Sequence, residues 1–312
     1  MFVTVADTMA TSQPSTEPTA KKVQASKADS PPPQELRGPP TITDEPSPSA
    51  PPTSITYPDF ESAKVHPLPK SADLNIESYV GQGVEGIVFE GTINTDTLVA
   101  VKIFWRTLHP VTIRKSGSKR LEEWPFKEEC RNVAILQTMQ QCMDIAAEKG
   151  RSIQVKAKLE TEEDVKRNIQ AFCSQPSPPE STSESTNTGD EYVTITDLLS
   201  LPRCYGWTTI KRESLEKLPD FHMDEYVDPD VDFHYALVYD YKPKRKTLDA
   251  SMQDHLDFFY YAGFTLRPYR EENWRAGTLV DMNDVASPFG PWWEWDEFRH
   301  QTVSEYTDDS YM

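Results

Sequence analysis

Basic residues are too few to balance the acids of this chain: 32 Lys and Arg stand against 50 Asp and Glu, a net charge of −18 over 312 residues. Tracking nucleic-acid phosphates needs clustered cations, so the acidity argues against a nucleic-acid footprint over the whole surface, and no direct nucleic-acid contact is expected, only contact with DNA through another subunit. Long apolar runs are also missing. No stretch reaches the roughly 18 residues of a membrane span, and the N-terminus has no uninterrupted apolar segment of signal-peptide length. The expected setting is therefore intracellular, cytoplasmic or nuclear, away from any membrane. Cys130, Cys142, Cys173 and Cys204 lack metal-ligand spacing and nearby His partners, which predicts plain thiols rather than zinc ligands or disulfides. The six histidines show no catalytic or metal spacing either, and His255, on a predicted helix, reads as structural.

Proline is plentiful, with 26 residues, while hydrophobic residues make up only 37% of the chain, so a wholly folded reading fails. Residues 1–70 carry Pro-Pro-Pro, Ser-Pro and Thr-rich stretches without apolar periodicity and read as a disordered Pro/Ser/Thr-rich arm. A second stretch of that kind, near 174–192, reads as a surface insertion. Ser30-Pro31, Ser47-Pro48 and Ser177-Pro178 are candidate sites for proline-directed phosphorylation. The remainder is long enough for one or two domains.

The richest segment is 80–105. Gly81, Gly83 and Gly86 form a GxGxxGxV hairpin, with Val88 after it, that lets backbone approach phosphates without Cβ interference. Lys102 lies sixteen residues past the last glycine, inside the apolar strand Val99-Ala100-Val101-Lys102-Ile103-Phe104. A lysine buried in such a strand needs an anionic partner, a phosphate or a carboxylate. The bland alternative is an ordinary hairpin whose lysine pairs with Glu129 to satisfy a buried charge.

Helical periodicity predicts one long helix from about Phe126 to Ala147, with Val133, Leu136, Met139 and Met143 on its apolar face and Glu128 and Glu129 near its start. A second helix spans Glu162 to Phe172 with Thr161 as N-cap, and a third spans Met252 to Ala262, stopped by Gly263. Pro202–Ile210 and Phe233–Tyr241 read as two antiparallel strands, the second ending in a hinge at Asp240-Tyr241-Lys242-Pro243. Next come Phe264 to Asn273 and the short strand Gly277-Thr278-Leu279-Val280-Asp281.

This succession resembles the protein kinase-like superfamily over about residues 72–290. Pro125-Phe126-Lys127-Glu128-Glu129-Cys130-Arg131, Arg203-Cys204-Tyr205-Gly206 and Gly277 to Asp281 look further like a fungal family of truncated kinase-like proteins that includes inner-kinetochore subunits. The resemblance implies an α+β, protein kinase-like fold. An antiparallel N-lobe sheet with one long helix would occupy 71–245, a reduced helical C-lobe 246–296, and an acidic solvated tail 297–312. It implies ATP and Mg2+ as ligands: Gly81, Gly83, Gly86, Val88 and Asp240 around the nucleotide, Lys102 on the α and β phosphates, and Asn273 and Asp281 on the metal. Glu129 is the implied partner of Lys102, although an alignment on Ile135-Leu136 offers Asn132 instead. The pair after Asp281 is Met282-Asn283 where Phe-Gly is usual.

Pro268 is the decisive departure from that pattern. Laid on the family's His-Arg-Asp-x-x-x-x-Asn loop, Leu266 to Asn273 keeps the asparagine but puts proline where the base aspartate belongs. Proline cannot orient or deprotonate an attacking hydroxyl. Only 31 residues follow Asp281, too few for an activation segment and large substrate-binding helices. The expected function is thus a pseudokinase or scaffold that binds protein partners and ATP, with an active phosphotransferase using a displaced base, Glu271, Glu272 or Asp284, as the alternative. Trp292, Trp293 and Trp295 read either as a cap over a reduced lobe or as a docking patch.

Overall fold

The computed structural model describes residues 23–24, 41–48, 52–106, 111–114, 120–174, 191–195, 201–218, 231–243, 249–275 and 277–308. The chain is α+β. Five antiparallel strands make its main sheet: β1 (Leu74–Gln82), β2 (Gly86–Ile93), β3 (Thr97–Phe104), β4 (Cys204–Lys211) and β5 (Phe233–Asp240), in the spatial order β1-β2-β3-β5-β4. The two-residue strand Val23–Gln24 adds to the β1 edge. Register puts Val88 opposite Lys102, and Leu237 opposite Lys102 from the other side, so the lysine strand lies in the middle of the sheet.

Strand alternation divides the core in two. Val99, Val101 and Ile103 of β3 join Ile76, Ile87, Phe89, Ala236 and Val238 on one face, covered by Leu215 and Leu218. The other face of β3 carries Ala100, Lys102 and Phe104 and looks toward the long helix α1 (Pro125–Glu148). Proline at its first turn suits the helix start, where no backbone N–H is required. Helix α1 is 24 residues long and buried around most of its circumference, not only on the face read from the sequence. It packs between the sheet and the segment 282–289. The helix α2 (Glu162–Phe172) starts at Thr161, whose hydroxyl accepts from the Asp164 amide at 3.1 Å while the Asp164 carboxylate reaches back to the Thr161 amide at 3.1 Å. Helix α3 (Asp249–Tyr261) ends before Gly263, whose φ of 81° is the left-handed conformation that suits glycine at a helix stop.

Two boundaries differ from expectation. Residues 41–48 and 52–70, assigned to the disordered arm, are built into the fold: Ile55, Phe60 and Val65 are buried, and the chain at 66–68 runs beside β4, with the Trp207 amide donating to His66 O at 3.0 Å and the Leu68 amide to Trp207 O at 2.8 Å. Gly206 makes that approach possible, because a Cβ there would meet His66 O at 2.7 Å. Three apolar residues spread over eleven positions show no period, yet all three join the same hydrophobic core. Likewise the acidic tail is not fully solvated through 308: Phe298 and Tyr306 are buried, and the Val303 amide donates to Gln253 Oε1 at 2.9 Å. The insertion at 175–190 lies outside the described residues, while Tyr192 belongs to a short strand, Tyr192–Ile195, paired with Ile153–Lys156. All four cysteines are buried free thiols. Among the described residues no helix is long and apolar enough to cross a membrane.

Candidate functional site

The hairpin joining β1 and β2 overhangs a cleft of about 280 Å³ whose floor is the 270–281 segment and whose back is β3 and the end of β5. Its glycines play unequal parts. A Cβ on Gly81 or Gly83 would meet nothing within 4 Å, so both border open space, whereas a Cβ on Gly86 would strike Ile103 O at 2.2 Å. Gly86 is therefore required by the close approach of β2 to β3, irrespective of any ligand. The tip is fixed from below: the Trp105 indole donates to Gly83 O at 2.9 Å, and the Trp105 amide to Glu85 O at 3.0 Å.

Lys102 is the centre of the cleft's electrostatics. Its ammonium donates to Glu129 at 2.6 Å and to Asp281 at 2.7 Å, with Glu85 at 3.9 Å. Glu129 is wholly buried, and also accepts from the Tyr239 hydroxyl at 2.6 Å and the Asn283 amide at 2.8 Å. The choice between Glu129 and Asn132 thus falls to Glu129. Asn132 instead donates to Met282 O at 2.8 Å and Val285 O at 2.7 Å and accepts from the Ser287 amide at 3.2 Å, fastening α1 to the 282–287 segment.

Three carboxylates share one ammonium here, and two of them, Glu129 and Asp281, shift in opposite directions. Burial opposes the charge on Lys102, but Asp281, Glu129 and Glu85 outweigh it and hold the amine above its usual range. Burial likewise works against Asp281, yet Lys102 and the backbone N–H of Asn283 keep it below its ordinary value. Glu129 goes the other way: burial, set against the pull of Lys102 and helped by the Asp281 charge, raises it to about 7. Asp284 is raised to about 6 by burial and by Asp281.

The expected site residues mostly converge. Gly81, Gly83, Gly86, Val88, Lys102, Asp240, Asn273 and Asp281 all line the cleft, with Val80, Ala100, Tyr239 and Val280 supplying apolar wall. Two of them are engaged differently than expected. The Asp240 carboxylate accepts from the Tyr205 hydroxyl at 2.7 Å and the Arg203 amide at 3.3 Å, so it fastens the end of β5 to β4. Asn273 donates its amide to Asp284 at 2.7 Å, which leaves the Asn273 carbonyl oxygen as its cation-binding atom. The carboxylate oxygens of Glu85, Glu129 and Asp281 lie within 4.8 Å of one another, close enough to share a cation; the cation among them is the Lys102 ammonium. Pro268 is exposed and does not line the cleft, whereas Arg270, Glu272 and Arg275 of the same stretch do.

Three contributors escaped the sequence reading: Glu85, Asn283 and Tyr239. Asn283 donates to Glu85 at 2.6 Å and to Glu129 at 2.8 Å, so it couples the hairpin to the helix. Its only sequence signal was the unusual Met282-Asn283 pair. Tyr239 gave none, since a tyrosine in a buried strand looks like core. Two of the tryptophans pack, partly buried, against the core: Trp293 donates to Gly263 O at 2.8 Å, and Trp295 stacks on Phe298 at 5.5 Å. His255 is buried beside Phe259 and Trp274, and burial lowers it to about 4, in keeping with a structural role. Compared with known proteins, the chain matches no family model and no curated protein.

Proposed function

We propose that this protein is a kinase-like nucleotide-binding scaffold, a pseudokinase, that receives an adenine nucleotide in the cleft under the glycine hairpin and has little or no phosphotransfer activity. The observation that carries this reading is the union, in one cleft, of two open hairpin glycines, Lys102 paired to Glu129 on the long helix, and Asp281 directed at the same lysine. A flat base would lie against Val88, Ala100 and Val280, and the phosphates would draw on Lys102 and the hairpin backbone. When Mg2+ accompanies the nucleotide, Asp281 and the Asn273 carbonyl are the oxygens suited to hold it, and the ion would neutralise phosphate charge.

The want of a base separates this reading from an active kinase. Pro268 has no proton acceptor, and Asp284 is buried and committed to Asn273. Glu272 is the one carboxylate of the 268–273 stretch on the cleft wall, so the alternative, phosphotransfer with a displaced base, rests on that residue. The inner-kinetochore placement and the protein partners belong to the same proposal and are supported by the sequence strings alone.

Incubation of the full chain with γ-labelled ATP and Mg2+, alongside Glu272→Gln and Pro268→Asp, tests the proposal. ATP retained by the wild type without label transfer supports a pseudokinase. Label transfer abolished by Glu272→Gln would replace it with the displaced-base enzyme.

A further inference from the structure

Glu85 sits at the tip of the glycine hairpin, next to the exposed Val84, yet it points inward. Its side chain is 25% exposed. One oxygen accepts from Asn283 at 2.6 Å and lies 3.9 Å from the Lys102 ammonium, and the other lies 3.8 Å from the Arg267 guanidinium. The backbone holds it there: the Glu85 carbonyl accepts from the Trp105 amide, the Gly83 carbonyl from the Trp105 indole, and the Gly83 amide donates to Gly86 O at 2.8 Å. A residue bonded across the cleft to a turn 198 positions away in sequence is not a stray surface acid.

We propose that Glu85 sets the ligand class of the cleft: its carboxylate stands beside Lys102 where a nucleotide's phosphates would come, so the cleft takes an uncharged nucleoside in preference to a triphosphate. The inference rests on the nucleotide-cleft reading and deepens it. Lys102 already gives its two short hydrogen bonds to Glu129 and Asp281, so a phosphate arriving at that ammonium meets three carboxylates around it, while the nearest other cation, Arg267, lies against the far oxygen of Glu85 and Arg270 and Arg275 stand along the wall. Like charges a few ångströms apart at a partly dry site repel strongly. The wall that would face a base is mostly apolar, from Val80, Val88, Ala100 and Val280, and is indifferent to ligand charge. A triphosphate therefore has to displace Glu85 from Lys102 and Asn283, whereas a nucleoside leaves those contacts alone.

The test compares the full-length wild type with Glu85→Gln, which keeps an acceptor for Asn283 but removes the charge, each titrated calorimetrically with adenosine and with ATP in EDTA. The expected result is that Glu85→Gln tightens ATP binding about tenfold or more, equivalent to about 1.4 kcal/mol, and changes adenosine binding less than about twofold. Glu85→Ala, which also frees Asn283, should tighten ATP at least as much. Equal ATP affinities in all three proteins, with adenosine bound, would overturn the role given to Glu85 and leave the cleft reading standing. Failure of every folded protein to bind either ligand would overturn the cleft reading itself, and this inference with it.

Discussion

The two faces of strand β3 are built from alternate residues of one short segment, and they do opposite work. Val99, Val101 and Ile103 look outward into a wholly apolar layer, each fully buried. Ala100, Lys102 and Phe104 look inward, and there the middle position gives up packing to hold a charge that needs Glu129, Asp281 and, through them, Tyr239 and Asn283. The outer face can be read as stability alone, while the inner face is stable only as a satisfied network. A buried ion pair of this kind contributes little net stability compared with apolar packing, but losing one member is costly.

Substitutions on the two faces should break differently. The largest loss is expected on the outer face: Phe89→Ala should cost about 3–5 kcal/mol in urea unfolding, with ligand affinity of the folded fraction unchanged. Lys102→Met should cost about 3 kcal/mol by leaving buried carboxylates unpaired, and it should remove nucleotide binding. Adding Glu129→Gln should recover at least about 1 kcal/mol of that loss without recovering binding, a coupling that a double-mutant cycle reads directly. Additive losses would mean that the two side chains do not act as a pair.

Proton linkage gives a smaller effect with a definite sign. Asp284 holds its proton more tightly folded than unfolded, because its folded value is about 6 against an ordinary 3.8. Its stabilising contribution is therefore fully present below the ordinary value and is lost as pH rises through about 6. Glu129, raised to about 7, adds a dependence of the same sign slightly higher. Asp284→Asn should flatten the fall in Tm between pH 4 and pH 7 by the equivalent of about 2 kcal/mol. The smallest effect is expected far from the cleft, where Trp293→Phe removes the hydrogen bond to Gly263 O and should cost about 1 kcal/mol with nucleotide binding intact. A larger loss of binding there would mean that the tryptophan cover communicates with the cleft.

Local signals in the sequence were dependable where the physics is local. The Thr161 cap, the Glu162–Phe172 helix and the Gly263 stop coincide with the structure because each is decided within a few residues. The glycine hairpin, Lys102 and Asp281 were legible because a buried lysine and three spaced glycines are rare enough to demand a shared explanation. The sequence favoured Glu129 but left Asn132 as a second register, because the helix's rotation is set by tertiary packing against 282–287. The parts played by Glu85, Tyr239 and Asn283 were hidden for the same reason, since the side-chain hydrogen bonds that join them to the network span more than a hundred residues. Ile55, Phe60 and Val65 were lost to the surrounding Pro, Ser and Thr, whose composition reads as disorder even where single apolar residues dock.

The most direct test of the central claim is a calorimetric titration of ATP with Mg2+, carried to millimolar ligand, into the full chain and into Lys102→Met/Glu129→Gln. Saturable heat is expected from the wild type and should disappear in the folded double variant. Equal heats from the two proteins would contradict it, because the ligand would then be binding somewhere other than the Lys102 cleft.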